Sequence, residues 1–96
     1  MNKVLDYICV RCIERELNDN VIAVSVPEIA EQLSYSENFV RSIIRKLKER
    51  ELITGVCESG FNEAKERYVI VRGYKVTEKG KQTDSYEKAL YELTEQ

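Results

Sequence analysis

The side chains with the clearest chemical pattern lie between positions 35 and 50. Apolar residues recur there with a period near 3.6, which predicts a helix with one buried face; they are Phe39, Val40, Ile43, Ile44 and Leu47. Arg can bridge guanine O6 and N7, Asn can pair with adenine, and Lys or Arg can neutralise phosphates. The opposite face and the preceding turn therefore predict contacts to base edges and phosphates, from Tyr35, Ser36, Glu37, Asn38, Arg41, Ser42, Arg45 and Lys48.

The residues before this helix predict a second, shorter helix and a tight turn. Pro27 suits a first helical turn, where its missing N–H has no partner to lose. Residues 34–36 break the pattern, and Ser36 is a candidate N-cap whose hydroxyl accepts from a free backbone N–H. Tyr35 in the turn either contacts a nucleic-acid backbone through its hydroxyl or packs over the short helix. Glu37 opposes phosphate contact but can accept from cytosine N4.

This layout resembles the core of winged helix-turn-helix transcription regulators, broadly those of the MarR and PadR groups. Ile29-Ala30 with Leu33, the Ser36 cap and the exit at Leu52-Ile53 carry the resemblance, together with residues 74–80, YKVTEKG. The resemblance covers roughly residues 25–81. It implies a DNA-binding helix that enters the major groove and a β-hairpin wing. Glu51 departs from the pattern because Gly usually stands there, so we expect that turn to differ in shape.

The wing is predicted from two β-prone runs, 52–57 and 67–72, with a loop at 58–62 that contains Gly60. Gly73 is expected to bulge or bend the second strand. Lys65, Arg67 and Arg72 are candidate wing contacts to the minor groove and its phosphates, a role that the resemblance implies. The alternative is that they are solvated strand charges.

The chain ends add two further helices. Residues 3–17 form a first amphipathic helix, and the β-prone residues 21–26 suit a small first strand. Thr77 is predicted to cap a short helical turn, and Asp84 with Glu87 has the spacing of a capping box. The last helix, roughly 84–94, carries an apolar stripe that either docks onto the first helix or forms a dimer seam; it consists of Tyr86, Ala89, Leu90 and Leu93.

The charge distribution agrees with a nucleic-acid surface better than the net charge does. The 96 residues carry a formal charge of −2. Residues 36–50 carry five basic against two acidic side chains, and residues 58–81 carry six against four. Residues 1–33 and 82–96 each have a net charge of −3. Positive charge is therefore expected on the third helix and the wing, with negative charge behind them.

Other function classes find little support in the composition. Cys9 and Cys12 form a C-x-x-C, but within an amphipathic helix this spacing predicts core packing, and a zinc site would need four ligands. Cys57 leaves a thiol sensor open. The absence of histidine excludes Ser-His and Cys-His catalysis, and the four glycines form no phosphate loop. No enzyme, cofactor or metal is predicted. Three cysteines, no signal peptide and no long apolar run indicate a cytoplasmic protein.

Together these features predict an α+β fold: a three-helix winged helix-turn-helix core with a β-hairpin wing, followed by a C-terminal helix. We expect residues 1–96 to form one domain, with a core at 1–81 and a helix at 82–96 that serves dimerisation. The predicted function is sequence-specific binding of double-stranded DNA by a homodimer, as a transcriptional regulator and most simply a repressor. The alternatives are a winged-helix protein-interaction module without DNA binding, or a small replication accessory factor of phage or plasmid type. No residue set identifies an effector.

Overall fold

A computed structural model describes residues 3–18, 20–62 and 66–95. Four α-helices, one short 3-10 helix and one antiparallel hairpin follow each other along the chain: α1 (Lys3–Leu17), α2 (Val26–Leu33), α3 (Glu37–Glu49), β1 (Ile53–Asn62), β2 (Arg67–Val76), the 3-10 helix (Gly80–Gln82) and α4 (Asp84–Thr94). This order confirms the predicted α+β class, with a three-helix unit, a wing and a C-terminal helix. No helix in the described ranges is long and apolar enough to cross a membrane.

The core lies between α1 and the other helices, and it closes at the base of the hairpin. Val4, Ile8 and Cys9 of α1 are fully buried, as are Ile29 of α2 and Val40 of α3. Burying a side chain of this size contributes about 1.5–3 kcal/mol, so these contacts fix the mutual positions of the three helices. Cys12 is also buried, which confirms the core-packing interpretation of the C-x-x-C.

Some predicted local features are wrong. Residues 21–26 form no strand: Val24 alone makes a bridge to Tyr74, through hydrogen bonds of 2.9 Å in both directions, and α2 already begins at Val26. Residues 58–62 are not a loop but belong to β1, because the pairing with β2 continues out to Asn62. The cap of α4 is Thr83, whose Oγ1 accepts from the amide of Tyr86, and Asp84 is already helical.

Gly73 does not bulge the second strand, since it pairs directly with Val56 in an unbroken register. A Cβ at position 73 would lie much closer to the Val24 carbonyl than van der Waals contact allows. Glycine is thus required for the close approach of two backbones. Thr77 does cap a turn, because its Oγ1 accepts from the amide of Gly80, but regular helix begins only at Gly80.

Candidate nucleic-acid interface

The turn between α2 and α3 is closed by backbone hydrogen bonds at one end and a side-chain cap at the other. Ser34 has a left-handed backbone, with φ 57°, and the amide of Tyr35 donates to the carbonyl of Ala30 over 3.0 Å. These bonds satisfy carbonyls that a helix end leaves free. Ser36 then caps α3, as predicted, by accepting from the amide of Phe39 over 3.2 Å. The direction of α3 is therefore fixed from its first residue.

The start of α2 is fixed in turn by a polar network with α1. The hydroxyl of Tyr7 and the guanidinium of Arg15 each donate to Glu28 Oε2 over 2.6 Å, and Arg15 also donates to the carbonyl of Ala23 over 2.8 Å. Burial and then the hydrogen bond to Glu28 raise the pKa of Tyr7. This network uses side chains that the sequence patterns did not single out, and it ties the helix-turn-helix to the rest of the core.

Helix α3 buries one side and exposes the other. Val40, Ile44 and Leu47 face the core. Since successive residues are rotated by about 100°, the exposed side chains form one continuous surface on the far side of α3. Arg41, Arg45 and Lys48 line a groove beside the wing, whereas Asn38 and Ser42, which form the outer edge of that surface, do not. The predicted contacts therefore divide into a cationic row beside the groove and polar side chains outside it.

The cationic row lines a groove between α3 and the base of the wing, which we call the basic groove. It has a volume of about 450 Å³ and includes Arg41, Arg45 and Lys48 with Tyr74 of β2. The ammonium group of Lys48 lies 5.8 Å from the centre of the Tyr74 ring, within the range of a cation–π contact. A second hollow, which shares Arg41, Lys48 and Tyr74 with the first, extends along β2 to Arg72, and we include it in the basic groove. Four cationic side chains from two elements thus line one surface channel.

Two carboxylates lie near these cations: Glu49 also lines the groove, and Glu37 pairs with Arg41. Glu37 Oε1 accepts from Arg41 over 3.2 Å, and both side chains are about half exposed. An exposed pair of this i,i+4 type contributes only about 0.3–0.5 kcal/mol, so Arg41 can exchange Glu37 for another anion at little cost. The predicted conflict between Glu37 and phosphate contact is therefore present in the structure but weak.

The remaining predicted contacts are placed less favourably. Tyr35 packs against the core and meets Phe39 edge to face, with ring centres 5.0 Å apart, which favours the packing alternative for this residue. Ser42 Oγ donates to the carbonyl of Phe39 within its own helix. Arg67 lies at the far end of β2 on the face opposite to Arg72, because side chains alternate along a strand. Lys65 lies outside the described residues.

Sequence reasoning gave too little weight to Arg72 and overlooked Tyr74 as a groove residue. Both lie on one face of β2, and both are paired with residues that line the same channel: Arg72 with Cys57 and Tyr74 with Gly55. The signal was present in the alternation of residues 67–76, which places every second side chain on one face.

Comparisons with known proteins agree on the fold. No protein-family model matches the sequence, and no curated protein matches it. Solved structures do match. The adhesin competence repressor AdcR of Streptococcus pyogenes is 15% identical, with a TM-score of 0.55 over 99% of this chain and 59% of its own. ZitR of Lactococcus lactis is 24% identical, with a TM-score of 0.51 over 98% and 51%. MepR of S. aureus bound to ethidium bromide is 14% identical, with a TM-score of 0.51 over 99% and 61%.

The chain spans about half to three fifths of the length of these proteins. The similarity covers all the described elements, from α1 through the wing to α4. The fold of this chain is therefore that of the winged helix-turn-helix regulators.

Proposed function

We propose that this protein binds double-stranded DNA in a sequence-specific manner and acts as a transcriptional regulator. The observation that carries the proposal is the basic groove, in which Arg41, Arg45 and Lys48 of a capped helix meet Arg72 of the wing. In a chain with net charge −2, a concentration of cations beside an exposed helix favours an anionic partner at this surface.

The geometry of α3 suits the major groove. A helix with its side chains is about 10–12 Å across, and the major groove of B-DNA is about 12 Å wide. The outer edge of α3, with Asn38 and Ser42, would face the bases together with Arg45. Arg41, Lys48 and Arg72 would then contact the phosphates that border the groove. The helix N-terminus at Ser36 adds backbone amides that favour an anion.

The acidic surfaces behind the groove set the orientation and limit non-specific affinity. Residues 1–33 and 82–96 each carry a net charge of −3, so DNA is repelled from the sides formed by α1 and α4. Non-specific electrostatic binding should be weak at physiological salt, so specific contacts must supply most of the affinity. Expression control by blocking a promoter is the simplest mechanism. AdcR, one of the structural matches, is described as a repressor.

We further propose that residues 1–96 act as one winged-helix unit in a homodimer, in the cytoplasm. The apolar side chains of α4 fall into two groups. Tyr86, Ala89 and Leu93 pack against the core of the same chain. Leu90 and Tyr91 remain exposed, at 40% and 68%, and offer the apolar surface that a second copy would cover. Helix-turn-helix dimers bind paired half-sites about one DNA turn apart. Sedimentation of the wild type and of Leu90→Lys would test this, because only a dimer seam through α4 predicts dissociation by that change.

The test of DNA binding is a fluorescence-anisotropy titration against a duplex selected from a random-sequence library. Arg45→Ala should cost about 1–3 kcal/mol of binding to the selected duplex and reduce discrimination against its mismatched variants. Lys48→Ala should weaken binding to all duplexes about equally and lower the slope of log affinity against log salt by about 1. Lys88→Ala, which removes one exposed charge from α4, is the matched control and should change neither.

The titration separates the hypotheses. A folded wild-type protein that binds no duplex at low salt would refute the proposal and favour a protein-interaction module. Equal losses for Lys88→Ala and Lys48→Ala would show that only the net charge matters, and would remove the basic groove from the mechanism.

A further inference from the structure

The outer half of the wing exposes an unusual concentration of apolar side chains. Tyr68 is 77% exposed, Ile70 is 71% exposed and Phe61 is 55% exposed. Phe61 and Tyr68 are direct cross-strand partners, and their rings meet edge to face with centres 5.4 Å apart. Removing apolar surface from water is favourable by about 25 cal/mol per Å², so a cluster of exposed apolar side chains favours an interaction surface here.

These residues lie on the same face of the hairpin as the wing residues of the basic groove. Phe61 pairs with Tyr68 and Ser59 with Ile70, and the same face continues through Arg72 to Tyr74 at the groove. The opposite face of the hairpin turns toward residues 21–24: Glu58 accepts from the amide of Ile22 there. The exposed apolar side chains, which we call the wing wedge, are thus an extension of the cationic channel.

The distance along β2 matches the spacing of DNA grooves. Tyr74 lies beside Lys48 of α3, and Tyr68 is six residues away, which corresponds to about 20 Å of extended strand. A major groove and the neighbouring minor groove are separated by half a helical turn, or about 17 Å. With α3 in the major groove, the wing wedge therefore reaches the adjacent minor groove, while Arg72 lies near the phosphates between the two.

We propose that the wing wedge inserts into the minor groove, partly unstacks a base step and bends the DNA. This inference rests on the proposed DNA-binding function and specifies how the wing takes part in it. Apolar side chains that enter a minor groove kink the duplex by about 20–90° toward the major groove. Sequence specificity would then depend partly on how easily one base step deforms, even though no polar side chain contacts that step. Pyrimidine–purine steps would be favoured because they deform most easily.

The experiment measures bending and unstacking directly, on the duplex obtained from the random-sequence library. Fluorescence energy transfer between dyes at the two duplex ends reports the bend. The fluorescence of 2-aminopurine, substituted for a base where the wing wedge would enter the minor groove, reports unstacking. The test variant is Phe61→Thr/Tyr68→Thr/Ile70→Thr, which keeps strand-forming residues. The single variant Ile70→Thr leaves the ring pair intact in case the triple variant folds poorly. Val69→Thr is the matched control, since Val69 lies on the opposite face of the same strand.

The expected result is a bend of about 20–90° with the wild type and with Val69→Thr, and its loss with the triple variant, which still binds. Ile70→Thr should give a smaller bend than the wild type. Wild-type binding to a duplex that stays straight, with no 2-aminopurine signal, would overturn this inference and leave DNA binding intact. Failure of the wild type to bind any duplex would instead refute the proposed function itself. Conversion of a dimer to a monomer by the triple variant, with unchanged bending, would also overturn the inference and assign this face to a second copy.

Discussion

Replacing Glu51 with glycine should stabilise this protein, although Glu51 lies in the turn that connects α3 to the wing. Glu51 has φ 61°, in the left-handed region that L-residues with a Cβ rarely adopt. Its amide donates to the carbonyl of Lys48 over 2.9 Å, and the amide of Leu52 donates to the carbonyl of Leu47 over 3.0 Å. This pair of bonds is the Schellman motif, in which glycine normally occupies the left-handed position.

The magnitude follows from two opposing terms. The left-handed backbone costs a residue other than glycine about 1–2 kcal/mol. Glycine at this position increases the entropy of the unfolded chain, which costs about 0.4–1 kcal/mol. The Glu51 side chain is 80% exposed, and its only described ion pair, to Lys79 at 3.8 Å, contributes little. The net gain is about 0.5–1 kcal/mol, or a rise of about 2–8 °C in Tm for a domain of this size.

Thermal unfolding followed by circular dichroism would measure the effect, with Glu51→Ala as the matched control. Alanine removes the same carboxylate but keeps a Cβ, so it should retain most of the backbone cost. A Tm for Glu51→Gly at or below that of Glu51→Ala would refute the backbone argument. Equal gains in both variants would show that the carboxylate, and not the φ angle, is the unfavourable element.

Three further predictions follow from single contacts. Glu37→Gln should tighten DNA binding several-fold in the anisotropy titration, because it removes a carboxylate beside Arg41 at 3.2 Å; weaker binding would indicate that Glu37 itself contacts a base. Gly73→Ala should cost about 1–3 kcal/mol in urea unfolding, because its Cβ would collide with the Val24 carbonyl, whereas a Cβ in Gly55→Ala would make only ordinary contacts, with Tyr74 Cε1 at 3.8 Å and the Gly73 carbonyl oxygen at 4.0 Å, and should be nearly neutral. Burial raises the pKa of the Cys9 thiol to about 12, so the folded state keeps a proton that the unfolded chain releases near pH 9. Stability present below about pH 9 is then lost as pH rises toward 12, by up to about 1.4 kcal/mol per pH unit, and urea unfolding of Cys9→Ala should lack that component.

The helices could be predicted from the sequence because their signals are local. The bounds of α1 match the predicted range of 3–17, and Ser36 caps α3 as expected, since a 3.6-residue period and a hydroxyl at the cap specify a helix with little help from tertiary contacts. Errors arose where a distant segment decides the outcome. Residues 58–62 contain a glycine and polar side chains that favour a loop, but pairing with β2 holds them in a strand.

The candidate site was predicted in part for the same reason. Helical periodicity placed Arg41, Arg45 and Lys48 on one exposed side, but it could not show that this side faces the wing. Arg72 and Tyr74 join them because Gly73 allows β2 to approach Val24 closely and to pair with β1 without a bulge. That approach depends on a backbone contact between segments about 50 residues apart, which no local pattern contains. At Glu51 the opposite occurs: the sequence favours a different turn, but the fold imposes the left-handed backbone on a residue that disfavours it. The expected change of shape is therefore absent.

The distribution of ion pairs explains how an acidic chain can present a surface for an anion. Arg11 and Arg15 of α1 are already paired, with Glu14 at 2.9 Å and with Glu28 at 2.6 Å. In the basic groove, by contrast, Arg45, Lys48 and Arg72 have no carboxylate within 4 Å among the residues that the structure describes.

An arriving phosphate therefore has to displace only the exposed Glu37–Arg41 pair, whereas contact with α1 would require breaking a partly buried network. The net charge counts all these groups equally, but anion binding depends on the cations that no ion pair within the protein already neutralises. The groove gathers cationic side chains from α3 and from the wing on the face where the helix and the wing lie side by side. Charge and shape thus favour the same surface, which is the physical basis for proposing DNA as its partner.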